Sequence, residues 1–232
     1  MKKLLFVLLI LAAVYPVQAR KIFITRHGQV GFKEHFDHEV KELKLTPLGQ
    51  EQAALLGKYL KDVCKFDGKI LVSPILRTVE TGVIIGDVLD KKVILEPGIQ
   101  EVNGGNNTRC MNIAELEARF AGKFTTAKNF THPWRVVNEN PDIWRERYIR
   151  EMDRIFAEYD GDLLLVTHGG GIDSMVAELC KRGNFKKPGL GFNCALFIFE
   201  LDKNNKPLST KYVIEYIPEA DVTDNRGYPN RD

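Results

Sequence analysis

The chain alternates between short apolar segments and longer amphipathic segments. Runs rich in apolar and β-branched residues predict buried strands over Lys21–Thr25, Lys69–Ser73, Lys92–Glu96 and Asp162–Thr167. Apolar residues at helical spacing predict helices that begin near Pro47, Pro74, Asp142 and Gly169. Two last strands are expected around Cys194–Leu201 and Lys211–Ile217, on either side of the turn DKNNKP.

One helix start and one irregular stretch refine this organisation. Thr46 is a good N-cap residue, and Pro47 suits the first position of a helix. Residues 103–140 hold adjacent glycines, adjacent asparagines and a short helical patch near Ile113–Phe120, so we expect an insertion or cap there. The strand-helix alternation elsewhere predicts an α/β protein, a three-layer sandwich with a mainly parallel central sheet.

The first 19 residues are typical of a secretory signal peptide. Lys2 and Lys3 precede the apolar run Leu4–Tyr15, and small residues lead up to Ala19. Retention as a membrane anchor is the alternative, but a bilayer-spanning helix needs roughly 20 apolar residues. We therefore expect cleavage after Ala19, export to the periplasm or the medium, no stable membrane anchor and one domain over residues 20–232.

The charge of the chain is balanced. It has 33 basic and 31 acidic residues, and removal of Lys2 and Lys3 makes the two numbers equal. A neutral chain has no global attraction for nucleic acid or anionic lipid, so neither is an expected partner. Any attraction for an anion must therefore be local.

The cysteines and the glycosylation sequons leave alternatives open. Cys64, Cys110, Cys180 and Cys194 allow three complete disulfide pairings, and none of them belongs to a C-x-x-C pair. Buried thiols that act as small hydrophobic groups are the other interpretation. Each of Asn106 and Asn129 begins an N-x-T sequon, which matters only in a host that glycosylates exported proteins.

Polar residues follow several of the predicted strands. Arg26 and His27 follow the first strand, Arg77 comes soon after the second, Glu101 lies in the loop after the third, and His168 follows the fourth. Because the carboxyl ends of parallel strands meet at one edge of a sheet, we expect these side chains to lie together.

This set of residue types suits a phosphoryl group. Arginine guanidinium groups are permanently charged, fork-shaped donors to phosphate oxygens. A neutral histidine can act as a nucleophile, and a carboxylic acid can protonate a leaving alkoxide. A glycine follows each histidine, and we expect Gly28 and Gly169 to let backbone and ligand approach closely.

A series of motifs resembles those of the histidine phosphatase superfamily, in its phosphoglycerate mutase-like branch. They are RHG at Arg26–Gly28, SPILRTVET at Ser73–Thr81, the IQEVNGG loop around Glu101 and VTHGG at Val166–Gly170. LTPLGQEQA at Leu45–Ala53 is similar to the first helix of that branch. RHG alone is a weak signal, whereas the motifs in this order, each after a strand, are specific together.

The resemblance implies an enzyme that hydrolyses small phosphomonoester substrates through a phosphohistidine on His27. It implies that Arg26, Arg77 and His168 hold the phosphate oxygens and that Glu101 is the general acid. It also implies that neither a metal ion nor an organic cofactor takes part.

The substrate stays open, because the chain departs from the mutase pattern beside the site. Gln29–Phe32 stand where mutases carry an acidic residue and then polar residues, and Asn106–Thr108 replace a frequent Trp-Glu-Gly. These departures and the expected export favour a phosphatase. A mutase-like phosphotransferase and a non-catalytic phospho-ligand binding protein remain alternatives, and the oligomeric state is undetermined.

Several further residues have two interpretations. Gln29 and Thr46 are candidates for the substrate rim, and Glu96 is the alternative acid to Glu101. The segment HFDH suggests a metal cluster, but the sequence indicates no further ligand, so a solvated loop is the preferred interpretation of His35, Asp37 and His38. Side chains that either line the pocket mouth or pack within the cap are His132, Trp134, Arg135 and Arg145.

Overall fold

The computed structural model of the chain describes residues 19–31, 43–101, 111–128, 130, 140–189 and 191–223. Within them lies one sheet of seven strands in the order β4-β3-β2-β5-β1-β6-β7. The strands are β1 (Arg20–Arg26), β2 (Lys69–Val72), β3 (Val93–Leu95), β4 (Phe124–Thr126), β5 (Leu163–Thr167), β6 (Leu196–Leu201) and β7 (Pro207–Val213). Among them, β6 is antiparallel to both β1 and β7, and the four other pairs of neighbouring strands are parallel. The prediction of a mainly parallel sheet is therefore confirmed.

Five helices accompany the sheet in the described residues. They are α1 (Pro47–Asp62), α2 (Leu76–Leu89), α3 (Ile113–Phe120), α4 (Pro141–Glu158) and α5 (Gly169–Gly183). The predicted start of α1 is confirmed, because the Thr46 hydroxyl accepts a hydrogen bond from the Gly49 amide at 3.0 Å and Pro47 opens the helix. None of these helices is long and apolar enough to cross a membrane.

Helices cover both faces of the sheet, so that the sheet is the middle of three layers. On β1, Phe23 belongs to the apolar cluster shared with α1 and α2, whereas Ile22 and Ile24 belong to the cluster shared with α4 and α5. Side chains of a strand alternate between faces, so a fully apolar strand is the expected sequence for a sheet covered on both sides. Burial of each such side chain contributes about 1.5–3 kcal/mol.

The last strand lies earlier in the chain than predicted. The expected strand was Lys211–Ile217, whereas β7 ends at Val213 and pairs with β6 in antiparallel register. Ile217 is buried all the same, because a turn after β7 folds it back against the core cluster beneath α1 and α2. The apolar residues of a turn were therefore mistaken for the end of a strand.

The stretch expected as an insertion contributes to the sheet itself. Residues Phe124–Thr126 form the edge strand β4, which pairs with β3 in parallel register, and Phe124 is buried. A strand of three residues has no readable periodicity, and the sequence analysis did not predict it. Similarly, α2 begins at Leu76 and not at Pro74, since Ile75 has extended backbone angles.

Candidate active site

The loops after β1 and β5 lie side by side at the carboxyl edge of the sheet. Arg26 pairs with Thr167 in the parallel register, and the His27 amide donates to the Thr167 carbonyl at 3.1 Å. This register brings the two predicted histidines together. The rings of His27 and His168 are 5.4 Å apart between centroids, at an angle of 60°.

The ring of His27 has a defined tautomer. Its Nδ1 lies 2.7 Å from the Gly28 carbonyl oxygen, which can only accept a hydrogen bond, so Nδ1 carries the proton. The Nε2 lone pair then faces Arg77, whose Nε donates to it at 3.2 Å. With 2% of the residue exposed, the ring presents a defined nucleophilic atom beside a permanent positive charge.

Residues outside the predicted set hold the backbone of this loop. The side-chain Nδ2 of Asn193 donates to the His27 carbonyl at 2.9 Å, and Asn193 Oδ1 in turn accepts from the Thr223 hydroxyl at 2.7 Å. The Thr81 hydroxyl accepts from the Gly28 amide at 3.0 Å. Thr81 ends the SPILRTVET motif and so carried a signal, whereas no motif pointed to Asn193 or Thr223.

Gly28 allows the close backbone approach that the sequence analysis expected. A Cβ atom at this position would lie 2.3 Å from the Gly49 carbonyl oxygen, in the first turn of α1. A Cβ atom at Gly49 would likewise lie 2.1 Å from the Gln29 carbonyl oxygen. The glycine therefore allows two backbone segments to meet. A Cβ at Gly169 would meet nothing within 4 Å among the described residues, so there the expected clearance for a ligand remains a prediction.

Two arginines supply positive charge to the site. Arg77 lies in the first turn of α2 and is 4% exposed, and its Nη2 is 3.6 Å from Glu101 Oε2. Arg26 ends β1, with Nη1 at 3.5 Å from the Gly191 carbonyl. Both guanidinium groups belong to the surroundings that act electrostatically on His168.

His168 is fully buried, and its surroundings disfavour the protonated ring. Burial is the main cause that holds the pKa of His168 well below its usual value, followed by the charge of Arg77, the repulsion that would arise if both histidine rings were protonated, and the charges of Arg26 and Arg147. Its Nδ1 lies 3.6 Å from Glu101 Oε2, but one carboxylate at this distance does not offset burial and the surrounding cations. The contact is therefore not an ion pair. On the other side of the ring, Nε2 lies 2.8 Å from the Ser73 hydroxyl.

The two candidate acids occupy different environments. The Glu101 side chain is 18% exposed, and its Oε2 lies 3.6 Å from both Arg77 Nη2 and His168 Nδ1. The Glu96 side chain is 1% exposed and its Oε1 bonds to the Gly98 amide at 2.9 Å and to Arg154 at 2.7 Å. Glu96 thus caps a turn, and the carboxyl group that lies beside Arg77 and His168 is that of Glu101.

The two candidate rim residues are bonded to each other. The Thr46 hydroxyl donates to Gln29 Oε1 at 2.7 Å while it caps α1, and the Thr46 amide donates to the Gln29 carbonyl at 3.0 Å. The Gln29 amide is held in turn by Gln52 Oε1 at 2.9 Å. Thr46 therefore caps α1, as predicted, and also holds Gln29, which the sequence analysis did not predict.

The model of the histidine phosphatase superfamily, branch 1, matches residues 22–212 of this chain. The chain belongs to the histidine phosphatase superfamily. The serine/threonine-protein phosphatase Pgam5 of Caenorhabditis elegans, a mitochondrial protein, is 48% identical over 66 residues. Those residues are 28% of this chain and only 21% of the nematode protein.

Solved structures share the histidine phosphatase fold at low identity. The ecdysone phosphate phosphatase of Bombyx mori is 19% identical, with a TM-score of 0.57 over 86% of this chain and 93% of that chain. The phosphoserine phosphatase of Entamoeba histolytica is 21% identical, with a TM-score of 0.55 over 83% and 95%. These likenesses support the seven-stranded α/β architecture.

Several sequence predictions fall outside the described residues of this histidine phosphatase. These are the signal segment up to residue 18, His35, Asp37, His38, Asn106, Cys110, Asn129, His132, Trp134 and Arg135. Among the cysteines that are described, Cys64, Cys180 and Cys194 are free thiols. Arg145 is exposed on α4 and lies 3.6 Å from Asp142, which does not place it at the two histidines.

A cavity of about 580 Å³ lies at the opposite edge of the sheet. Its walls include Arg20, Lys69 and Asp162, at or beside the amino ends of β1, β2 and β5. Both lysine and aspartate side chains line the cavity, so its walls do not carry charge of one sign. Because it is remote from both histidines, its size gives no evidence on the chemistry.

Proposed function

We propose that this histidine phosphatase hydrolyses phosphomonoesters through a covalent intermediate on His27. The observation that carries the proposal is the state of the His27 ring. A hydrogen bond to the Gly28 carbonyl keeps the proton on Nδ1, and Nε2 faces Arg77 and the ring of His168. A non-catalytic phosphate binder would need donors at this position and has no use for a lone pair.

In the first step, the His27 Nε2 lone pair attacks phosphorus and the bond to the ester oxygen breaks. Arg26, Arg77 and His168 stabilise the charge on the three phosphoryl oxygens. The Glu101 carboxylic acid gives its proton to the leaving oxygen, so the alcohol departs neutral. The site needs this acid most for alkyl esters, because an alkoxide is a poor leaving group.

In the second step, the Glu101 carboxylate accepts a proton from water while the water oxygen attacks phosphorus. The phosphorus–nitrogen bond breaks and inorganic phosphate leaves. Glu101 is again protonated and His27 is again neutral, so one water is consumed per ester. The protein supplies every charge in this scheme from side chains, and no metal ion or organic cofactor has a step.

We infer a small alkyl phosphate as the substrate, met outside the cytoplasm after removal of residues 1–19. The name of the nematode relative includes serine/threonine-protein phosphatase, which makes a phosphoserine peptide a second substrate to test. A mutase-like transfer differs only in the acceptor. In that case a second hydroxyl group takes the phosphoryl group and little inorganic phosphate appears.

The test is hydrolysis of an aryl phosphate, with chelator present, by the native protein and by His27→Ala. We expect chelator-resistant phosphate release that falls at least about a thousandfold in the variant. Rapid quenching of the native protein should trap a phosphoenzyme that is labile in acid and stable in base. Full activity in a folded His27→Ala protein would falsify the proposal, and phosphate transfer to an added alcohol without release would make it a mutase.

Export has a separate test. The protein recovered from the periplasm or the medium should begin at Arg20 when its amino terminus is sequenced. Exported protein that still begins at Met1 would contradict cleavage without affecting the proposed chemistry.

A further inference from the structure

The turn that leads into Glu101 is held by side chains from two neighbouring elements. It begins after β3, passes through a single 3-10 turn over Pro97–Ile99 and reaches Glu101 two residues later. Three consecutive carbonyl groups in it accept side-chain hydrogen bonds, from Arg147 at Gly98 (2.9 Å), from Thr167 at Ile99 (2.8 Å) and from Tyr148 at Gln100 (2.5 Å).

Two of these donors are adjacent on α4 and work as a unit. A second nitrogen of Arg147, Nη2, reaches the Gln100 carbonyl at 3.3 Å, so its fork spans two carbonyls of the turn. Its guanidinium carbon lies 4.4 Å from the ring centre of Tyr148. Burial raises the pKa of Tyr148, which keeps its hydroxyl protonated and able to donate.

The contacts leave little freedom at this end of the turn. Arg147 is 6% exposed and Tyr148 fully buried, so a lost bond would leave a carbonyl with no water to replace the donor. At the start of the turn, Glu96 holds the Gly98 amide. The residue that follows the last clamped carbonyl is Glu101.

We propose that Arg147 and Tyr148 are positioning residues, which fix the Glu101 carboxyl group where it can protonate the leaving oxygen. This inference rests on the proposed function and adds to it the helix that sets the acid. Neither residue touches the reacting atoms by this account. Both bond to the Gln100 carbonyl, one residue before the acid. Arg147 also adds positive charge near His168, whereas Tyr148→Phe changes no charge and tests the positioning alone.

A test needs a readout that general destabilisation does not move. The aryloxide of an activated aryl phosphate leaves without protonation, whereas the alkoxide of glycerol phosphate needs a proton from the acid. We expect Arg147→Met to lower kcat on glycerol phosphate about a hundredfold, the effect of a misplacement of about 1 Å, and to change kcat on the aryl ester only a few-fold. Tyr148→Phe, which removes one hydroxyl and no charge, should show the same selectivity with a loss of about tenfold.

Arg20→Met is the matched control. Arg20 also donates to two backbone carbonyls, those of Phe156 and Tyr159, and lies over an aromatic ring, but at the opposite edge of the sheet. We expect it to reduce stability without changing the ratio of the two rates. Equal losses on both esters in Arg147→Met and Tyr148→Phe, or the same selectivity in Arg20→Met, overturn the proposal. If Arg147→Met does not fold, Tyr148→Phe decides.

A double variant separates this inference from the function on which it rests. In a Glu101→Gln background, Tyr148→Phe should cause no further selective loss, because the acid is already absent. If Glu101→Gln itself slows both esters equally, the acid role of Glu101 is wrong and the positioning inference falls with it, whereas the phosphoenzyme on His27 stands or falls with the His27→Ala test. If Glu101→Gln is selective but Tyr148→Phe is not, only the positioning role is refuted.

Discussion

The loops after β1 and β5 carry nearly the same residues in different surroundings. In each, the strand ends directly before a histidine that is followed by glycine: Arg26 ends β1 before His27, and Thr167 ends β5 before His168. The two rings lie 5.4 Å apart between centroids. The Nδ1 of His27 faces a backbone carbonyl, which admits one tautomer. The Nε2 of His168 faces the Ser73 hydroxyl, which can donate or accept.

The difference teaches how one residue type can serve two tasks. A nucleophile needs its lone pair held at one nitrogen, and a carbonyl partner provides that. A group that holds phosphate oxygens benefits from a partner that adapts when the ligand arrives. The motif places each histidine at the sheet edge, and the neighbouring atoms then decide which task each can perform.

The largest expected effect separates the two rings. His168→Ala should retain formation of the phosphoenzyme at a reduced rate, with kcat lowered about 10²–10³-fold, because one charge-stabilising donor is lost. His27→Ala should form no phosphoenzyme at all. Rapid-quench measurement of both variants checks this, with near-UV circular dichroism as the control for folding. A phosphoenzyme in His27→Ala but not in His168→Ala would reverse the assignment.

The second prediction compares the glycines. Gly28→Ala should lower the free energy of unfolding by about 1–3 kcal/mol, because the new Cβ meets backbone of Gly49 that cannot move freely. Gly169→Ala should change it by less than about 0.5 kcal/mol, since no described atom lies within 4 Å. Urea unfolding of both variants gives the comparison. Equal losses would show that the two loops are packed alike.

The third prediction uses the pH dependence of stability. The folded-state pKa of His168 lies well below the ordinary value of 6.5, so below that pH the unfolded chain binds more protons than the folded protein. Stability should therefore fall as pH decreases from 6.5, by up to about 1.4 kcal/mol per pH unit for this one proton. Comparison of the native protein with His168→Asn from pH 7.5 to 5 isolates the contribution. Parallel curves would mean that His168 does not resist protonation.

The smallest expected effect concerns the partner of His168. Ser73→Ala removes the hydroxyl beside Nε2 and should lower kcat about three- to tenfold, the value of one neutral hydrogen bond. The loss should be similar for alkyl and aryl esters, since the leaving group is not involved. Selectivity for one ester would place Ser73 on the side of the acid instead.

The sequence predicted most elements, and the failures have identifiable causes. Strands such as β5 were found because they are buried on both faces and consist of apolar residues throughout. β4 was missed because three residues carry no pattern. The end of β7 was misplaced because Ile217 is buried by a turn, and burial looks the same in a sequence whether a strand or a turn provides it.

The site was predicted as a set of residues without its internal geometry. Arg26, His27, Arg77, Glu101 and His168 could be named because motifs and strand ends mark them. Asn193 and Arg147 could not, since they act on the backbone of distant parts of the chain, and Thr223 acts on the Asn193 side chain from 30 positions away. Hydrogen bonds between residues so far apart have no trace in a single sequence.

By itself, the sequence determined most of the strands and helices, the family and the edge of the sheet where the polar residues gather. These follow from local periodicity and from short motifs, which are properties of neighbouring residues. Only the tertiary structure decided that Gly28 makes room for Gly49, that Glu96 caps a turn while Glu101 lies beside His168, and which nitrogen of His27 keeps its lone pair. Each of these depends on a contact between segments that meet only when the chain has folded.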